Sequence, residues 1–420
     1  MLPRKNKTND HNLWATFRKS CPKIFNPSVA FSLAVALSIS GQTMANQKPH
    51  QPTPIDKRHI ISPKPIEPPK IQLAILLDTS GSMDGLIDQT RNQLWQVVNE
   101  FTSAKRNGIT PTLEVALFEY GNDGNSRDTG FVRMLNNFTG ELDKVSEGLF
   151  SLTTNGGSEY CGFAIKTAIR SLNWSHSNRD IKTIFIAGNE PFTQGPVNYR
   201  EALRLASQQG IAVNTIHAGD HQVGIDTGWQ NGAKLAGGDY MSIDANQRTV
   251  HVIAPQDQRI AELNQQLNKT YVPYGKHGQE KSRRQLAQDQ QSQKISAGLM
   301  AKRARSKSSS YYRNNSWDLV DAMKDGDIAE EDLGKLKEAD LPEPMKKMDN
   351  KQKKAYVLKK AEKRKKINEE IKSLSKERKI YVAEKKRKLV ANAPSMSDAL
   401  TKAIKKQAKK KDYQFEKKGE

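Results

Sequence analysis

Five consecutive residues, Asp78-Thr79-Ser80-Gly81-Ser82, place a carboxylate and two hydroxyls at i, i+2 and i+4. On a turn leaving the end of a strand these three side chains can be aimed at one point, where they would converge on a cation. An all-oxygen donor set suits a hard ion such as Mg²⁺ or Ca²⁺. The plainer use of the same residues is to start a helix, with Ser80 and Ser82 as caps and Asp84 favoured by the helix dipole.

Other chemistry-bearing residues point elsewhere less firmly. Two Asp-Thr-Gly triplets, at Asp128-Thr129-Gly130 and Asp226-Thr227-Gly228, invite comparison with a carboxylate pair that shares a proton. Such enzymes carry apolar residues before the triplet, whereas Ser126-Arg127 precedes the first one here, so turn chemistry explains both better. His217 and His221 have zinc-like spacing, but Gly219 lies between them and His217 ends a strand-like run. Cys161 opens a helix-like segment, where a thiolate is favoured, although a small packing residue is the better reading. No phosphate-binding Gly-x-x-x-x-Gly-Lys loop and no Gly-x-Ser-x-Gly nucleophile elbow occurs.

The elements that must position Asp78 are legible. Ile71-Gln72-Leu73-Ala74-Ile75-Leu76-Leu77 is a near-continuous apolar run, the pattern of a strand buried on both faces. A helical segment follows, with Ile87, Leu94, Val98 and Phe101 on one face. Strand-like stretches at 113–118, 183–187, 211–217 and 240–243 then alternate with helix-like ones at 163–172, 199–207 and 229–235. Ile260, Leu263 and Leu267 mark a closing helix. This alternation predicts an α/β fold, a doubly wound and mostly parallel sheet flanked by helices, with ligand sites at the carboxyl ends of its strands. Asp78 stands at such an end.

An apolar strand ending in Asp-x-Ser-x-Ser and leading into about 200 residues of alternating α/β pattern resembles a von Willebrand factor A domain with its metal-ion-dependent adhesion site. The resemblance covers 71–274, and the strings Leu77-Asp78-Thr79-Ser80-Gly81-Ser82-Met83-Asp84, Ile184-Phe185-Ile186-Ala187-Gly188-Asn189-Glu190-Pro191-Phe192 and Ser316-Trp317-Asp318-Leu319-Val320-Asp321-Ala322 resemble a bacterial, exported subgroup. It implies a divalent ion with few protein carboxylates and an open position for a partner's acidic side chain. It also implies ligands from two further loops. In Gly156-Gly157-Ser158-Glu159 the family's threonine position falls on Ser158, with Thr154 as the alternative. The third loop usually supplies an Asp directly after its strand, but Gly188 stands there, leaving Asn189 or Glu190 to substitute. The expected metal residues are therefore Asp78, Ser80, Ser82, Ser158, Asn189 and Glu190, with weak affinity until a partner completes the shell.

The chain has 420 residues, of which only 36% are hydrophobic, and a net charge of +21. Residues 281–420 hold 39 basic against 21 acidic side chains, so nearly all of the excess sits in the last third. At the other end, basic residues, a short apolar run at 29–39 and Thr43-Met44-Ala45 form the pattern of a signal peptide over 1–45. An uncleaved anchor is the alternative. Seven prolines within 46–70 read as a semi-rigid spacer. Residues 275–315 look like a polar linker, 316–341 like a short docking helical segment, and 342–420 like a lysine-rich helical or coiled-coil tail whose seam is interrupted by Arg378 and Lys385. The C-terminal extension is thus expected to be helical and partly disordered. Removing 342–420 is expected to leave the domain folded.

These features predict an exported, periplasmic, envelope or secreted protein without enzymatic activity. It would bind a protein partner that supplies an acidic side chain through Mg²⁺ or Ca²⁺. Its tail would bind an anionic envelope polymer or lipid surface. Sequence-specific nucleic-acid binding is not expected, since no base-reading module is present. A nucleic-acid or polyanion binder with a passive domain, or a hydrolase built on Asp78 or on the Asp-Thr-Gly pair, are the competing classes; chelator sensitivity and substrate turnover separate them.

Overall fold

The nine-residue strand β1 (Lys70–Asp78) sits at the centre of the molecule because both of its faces are apolar. A computed structural model describes residues 68–101, 104–243, 252–389 and 396–415. The signal-like segment and the proline-rich stretch up to residue 67 lie outside the described residues. After β1 come α1 (Asp84–Phe101), β2 (Ala104–Arg106), β3 (Thr112–Tyr120), β4 (Arg133–Thr139), α2 (Leu142–Ser151) and α3 (Cys161–Ser171). Next are β5 (Ile181–Gly188), α4 (Tyr199–Gln208), β6 (Ala212–Ala218), α5 (His221–Asp226), α6 (Trp229–Leu235), β7 (Gly237–Ile243) and α7 (Asp257–Asn268).

The main sheet has the order β4-β3-β1-β5-β6-β7 and is parallel throughout except for the antiparallel edge strand β4. Helices cover both faces. Ile71, Leu73 and Leu77 pack with Val98, Val145 and Ile260 on one side, and Ala74 and Leu76 pack with Ile165 and Leu203 on the other. The doubly wound sheet is as the alternating pattern requires. Strand β4 has no clear period because its pairing with β3 carries register shifts between Val115 and Phe118, which break the alternation a sequence reading relies on.

The C-terminal third departs from expectation. The stretch read as a linker folds into α8 (Gly278–Ile295) and α9 (Ala297–Lys307). Helix α8 lacks apolar periodicity because the face it buries is polar, comprising Gln285, Gln288, Asp289 and Ser292. Of these, Gln285, Gln288 and Asp289 are bonded: Gln285 donates to Tyr312 at 3.0 Å, Ser146 donates to Gln288 at 2.8 Å, and Arg303 pairs with both Asp143 (2.8 Å) and Asp289 (2.6 Å). Lys307, on α9, pairs with Asp289 at 2.9 Å. Burying these charges is tolerable only because two cations face two carboxylates.

Beyond α10 (Leu319–Asp325) and α11 (Glu343–Lys346), the chain forms a 40-residue helix, α12 (Asn350–Leu389). Its inner seam carries Val357, Arg364 and Ile371, all buried at seven-residue spacing, and then Arg378. Arg378 does not interrupt the seam as the sequence suggests, because it pairs with Asp257 on α7, just as Arg364 pairs with Asp318 and Asp321. The helix therefore lies on α7, α9 and α10 of its own chain instead of forming a hairpin or coiled coil. Finally α13 (Met396–Lys409) and β8 (Tyr413–Phe415) return to the strand starts. There β8 pairs with β2, Tyr413 donates to the carbonyl of Lys70, and Lys411 donates to that of Asp180.

Candidate metal centre

Three strand ends meet at Asp78. Asp78 aligns with Tyr120 of β3, and Leu77 aligns with Ala187 of β5, so the loops leaving all three strands rise on one side of the sheet. The first loop is held down by its neighbours through the backbone: Thr79 N–H donates to Tyr120 O (2.8 Å), Asn155 N–H to Thr79 O (3.0 Å) and Gly81 N–H to Gly156 O (2.9 Å). Within it, Ser80 N–H donates to Asp78 Oδ1 at 2.8 Å, and the Ser80 and Ser82 hydroxyls lie 3.3 Å apart. Asp78 and Ser80 are buried, while Ser82 is exposed at the mouth. The motif's three side chains are thus brought together.

From the second loop it is Glu159, unanticipated from the sequence, that turns in against Asp78. The two carboxyl groups share one donor, the Asn189 amide, and Glu159 is only 3% exposed. Gly121 makes this possible: a Cβ there would lie 2.6 Å from Asp78 Oδ1 and 3.0 Å from Glu159 Cγ. Ser158, the expected ligand, instead lines a cleft of about 470 Å³ with Arg127, Tyr160, Phe163 and Gln194. Thr154 donates to Asp84 at 2.6 Å.

The third loop contributes Asn189. With its amide oriented to suit its neighbours, Asn189 donates to Asp78 Oδ2 (3.3 Å) and Glu159 Oε2 (3.1 Å) and accepts from Ser82 (3.3 Å). Glu190 takes part through its backbone, donating its N–H to Glu159 Oε2 at 3.3 Å and accepting from the Trp229 indole at 2.9 Å. Gly188 is enclosed beneath: a Cβ there would stand 2.4 Å from the Tyr120 hydroxyl and 3.0 Å from Asp78 Oδ2. Tyr120 is itself fixed by donating to Ala187 O at 2.9 Å. No carboxylate-bearing residue fits at 188.

Burial, followed by the neighbouring Glu159 carboxylate, pushes the Asp78 carboxyl well above its ordinary range. Burial likewise pushes the Cys161 thiol up, so Cys161 is a neutral packing residue beside Tyr120 and not a thiolate. Among the described residues no group of three or more His, Cys, Asp or Glu could hold a metal. The oxygen donors that converge are two carboxylates and two hydroxyls, and they fit a hard divalent ion better than zinc or copper; the Asn189 amide, whose nitrogen faces both carboxylates, would join them only by turning its oxygen inward. Asp78, Ser80 and Ser82 would hold it, with Asn189 beside them.

The competing motifs are dispersed. Asp128 sits in a 3₁₀ turn capped by Ser126, and Asp226 ends α5. His217 is buried against Trp229, whereas His221 faces Ser242.

The model of the von Willebrand factor type A domain family matches residues 72–224, and this stretch of the chain is such a domain. Among solved structures the chain is similar to BatB from Bacteroides thetaiotaomicron (16% identity, covering 41% of this chain and 90% of that one, TM-score 0.32). It is also similar to proximal thread matrix protein 1 from the mussel byssus, described with a zinc-occupied adhesion-site motif (11% identity, 43% of each chain, TM-score 0.32). A third is the pilus adhesin SpaC from Lactobacillus rhamnosus GG (12% identity, 51% of this chain and 33% of that one, TM-score 0.32). No curated protein matches the chain. No described helix is long and apolar enough to cross a membrane.

Proposed function

We propose that this chain is a non-enzymatic binding protein that captures a protein partner through a divalent cation held at Asp78, Ser80, Ser82 and Asn189. The observation that carries this reading is the convergence of the Asp78, Ser80 and Ser82 oxygens at the carboxyl end of β1, with Asn189 alongside and Ser82 exposed at the rim. A type A domain supports protein interaction as the role of that face. The cleft beside Ser158 extends the face, and its Arg127 and aromatic rings suit a partner segment bearing acidic and apolar side chains. The chain's C-terminal strand is tied to the strand starts, at the opposite end of β1 from Asp78. The signal-like segment at 1–45 supports export to the periplasm, envelope or medium.

The basic C-terminal third serves this domain first as counter-charge. Lys281, Arg284, Arg303, Arg378, Lys405 and Lys406 pair with Glu141, Glu147, Asp143, Asp257, Glu100 and Asp239. Contact with an anionic polymer or lipid surface falls to the lysines left over on α12, such as Lys363 and Lys365.

Calorimetry with Mg²⁺ and Ca²⁺ tests the reading. The wild type should bind one ion and Asp78→Ala none, with the fold retained by circular dichroism. Identical titrations of the two proteins would mean that the loop is only a helix cap.

A further inference from the structure

We infer that Glu159 is the cation's second carboxylate ligand, supplied from the second loop because the third loop is sterically barred from providing one. This rests on the cation-site reading above and goes beyond it by naming a ligand and the charge state of the loaded site.

The exclusion comes first. Position 188 is the last residue of β5 and lies beside Asp78, yet a Cβ there meets the Tyr120 hydroxyl at 2.4 Å. Tyr120 is fully buried and tied to Ala187 O, so it cannot swing aside cheaply. Smaller displacements do not help, since Asp78 Oδ2 waits 3.0 Å from the same Cβ position.

Glu159 occupies the corresponding space from the other side. Its backbone N–H is clamped by Gln194 Oε1 at 2.6 Å, which fixes where the side chain starts. Its Oε2 receives the Glu190 N–H and the Asn189 amide, and that amide also reaches Asp78 Oδ2. Asn189 thereby holds the two carboxylates in one orientation, and Gly121, with φ +82°, leaves the gap through which they meet.

The charge balance then points to a cation. Among the described residues neither carboxylate is ion-paired with a lysine or arginine, in contrast to the buried Asp143, Asp289 and Asp318, each of which has a basic partner. Buried carboxylates without a counter-charge are costly. One divalent ion between Asp78 and Glu159 neutralises both, with the Ser80 and Ser82 hydroxyls completing an oxygen shell. A site so compensated loads its ion without waiting for a partner's acidic side chain, which reverses the weak affinity expected of the isolated domain from its missing third-loop Asp.

The test is calorimetry on the full chain with Mg²⁺ and with Ca²⁺, comparing wild type, Glu159→Gln and Ser158→Ala, and following thermal melting with and without ion. Wild type and Ser158→Ala should bind alike, while Glu159→Gln should lose affinity by on the order of 10- to 100-fold and lose the ion-dependent rise in melting temperature. Wild-type binding in Glu159→Gln overturns this inference and leaves the cation site standing on Asp78. If the wild type binds neither ion, the cation-site reading fails and this inference with it. Should Glu159→Gln melt far below wild type in the absence of ion, Glu159→Asp replaces it: retained charge on a shorter arm is expected to restore part of the affinity, and no restoration counts against ligation.

Discussion

Arg364 and Asp318, 46 residues apart in the chain, meet at 2.7 Å inside the protein, with the guanidinium carbon 4.1 Å from the centre of the Tyr271 ring. The same guanidinium reaches Asp321 at 2.9 Å and the Thr270 carbonyl at 2.8 Å. This one side chain joins α12 to the loop that follows α7 and to the Trp317-Asp318 segment that precedes α10.

Removing it should therefore be severe. Arg364→Met leaves Asp318 buried without its cation, for which the expected cost is about 3–5 kcal/mol. Urea denaturation of the full chain measures it. For the same reason a chain ending at 341 is expected to be unstable, contrary to the reading of 342–420 as a dispensable tail. Wild-type stability in Arg364→Met would show that the contact is incidental.

Acid should weaken the junction between α8 and α9. Burial alone raises the Asp289 carboxyl, but Lys307 and Arg303 outweigh it and hold the group below its ordinary value. The folded state thus binds that proton less readily than the unfolded chain does. Its stabilisation is complete above the ordinary carboxylate value of about 4 and is lost as pH falls below it. Stability measured between pH 6 and pH 3 should drop more steeply for the wild type than for Asp289→Asn. Parallel curves would remove Asp289 as the source.

Restoring the family's third-loop carboxylate should fail. Gly188→Asp forces a Cβ against Tyr120 and Asp78, with an expected loss of about 1–3 kcal/mol from overpacking and no gain in ion affinity. Thermal melting and calorimetry report the two quantities, and tighter ion binding in this variant would contradict the packing argument.

Binding to anionic polymers should be modest and carried by few residues. On the outer ridge of α12, exposed Lys366 pairs with Glu362 at 2.8 Å, and exposed Glu369 and Glu377 are interspersed among the lysines, so the tail's excess charge does not form one stripe. Retention on a sulfated polymer is expected to fall steeply with salt. Replacing Lys363 and Lys365 with Glu should shorten it, whereas Lys406→Ala, whose ammonium faces Asp239, should not. Equal effects from both changes would point to net charge alone.

The strand 71–77, the alternation that winds the sheet and the Asp78-Ser80-Ser82 turn were all readable in the sequence, because apolar strands buried on two faces and residues at a strand end are local patterns. Gly188 was visible as a departure, but only its enclosure by Tyr120 and Asp78 explains why no carboxylate stands there. Glu159 carried no signal of its own beside Ser158; which of two adjacent loop residues turns inward depends on Gly121 and Gln194, contributed by other segments. The C-terminal third was misjudged for a related reason. Hydrophobic periodicity detects helices that bury carbon, whereas α8 buries glutamines, serine and aspartate, and α12 buries arginines. Whether a charged residue faces water or a buried counter-charge is decided by the partner folded against it, as Asp318 decides for Arg364, and that pairing exists only in the tertiary structure.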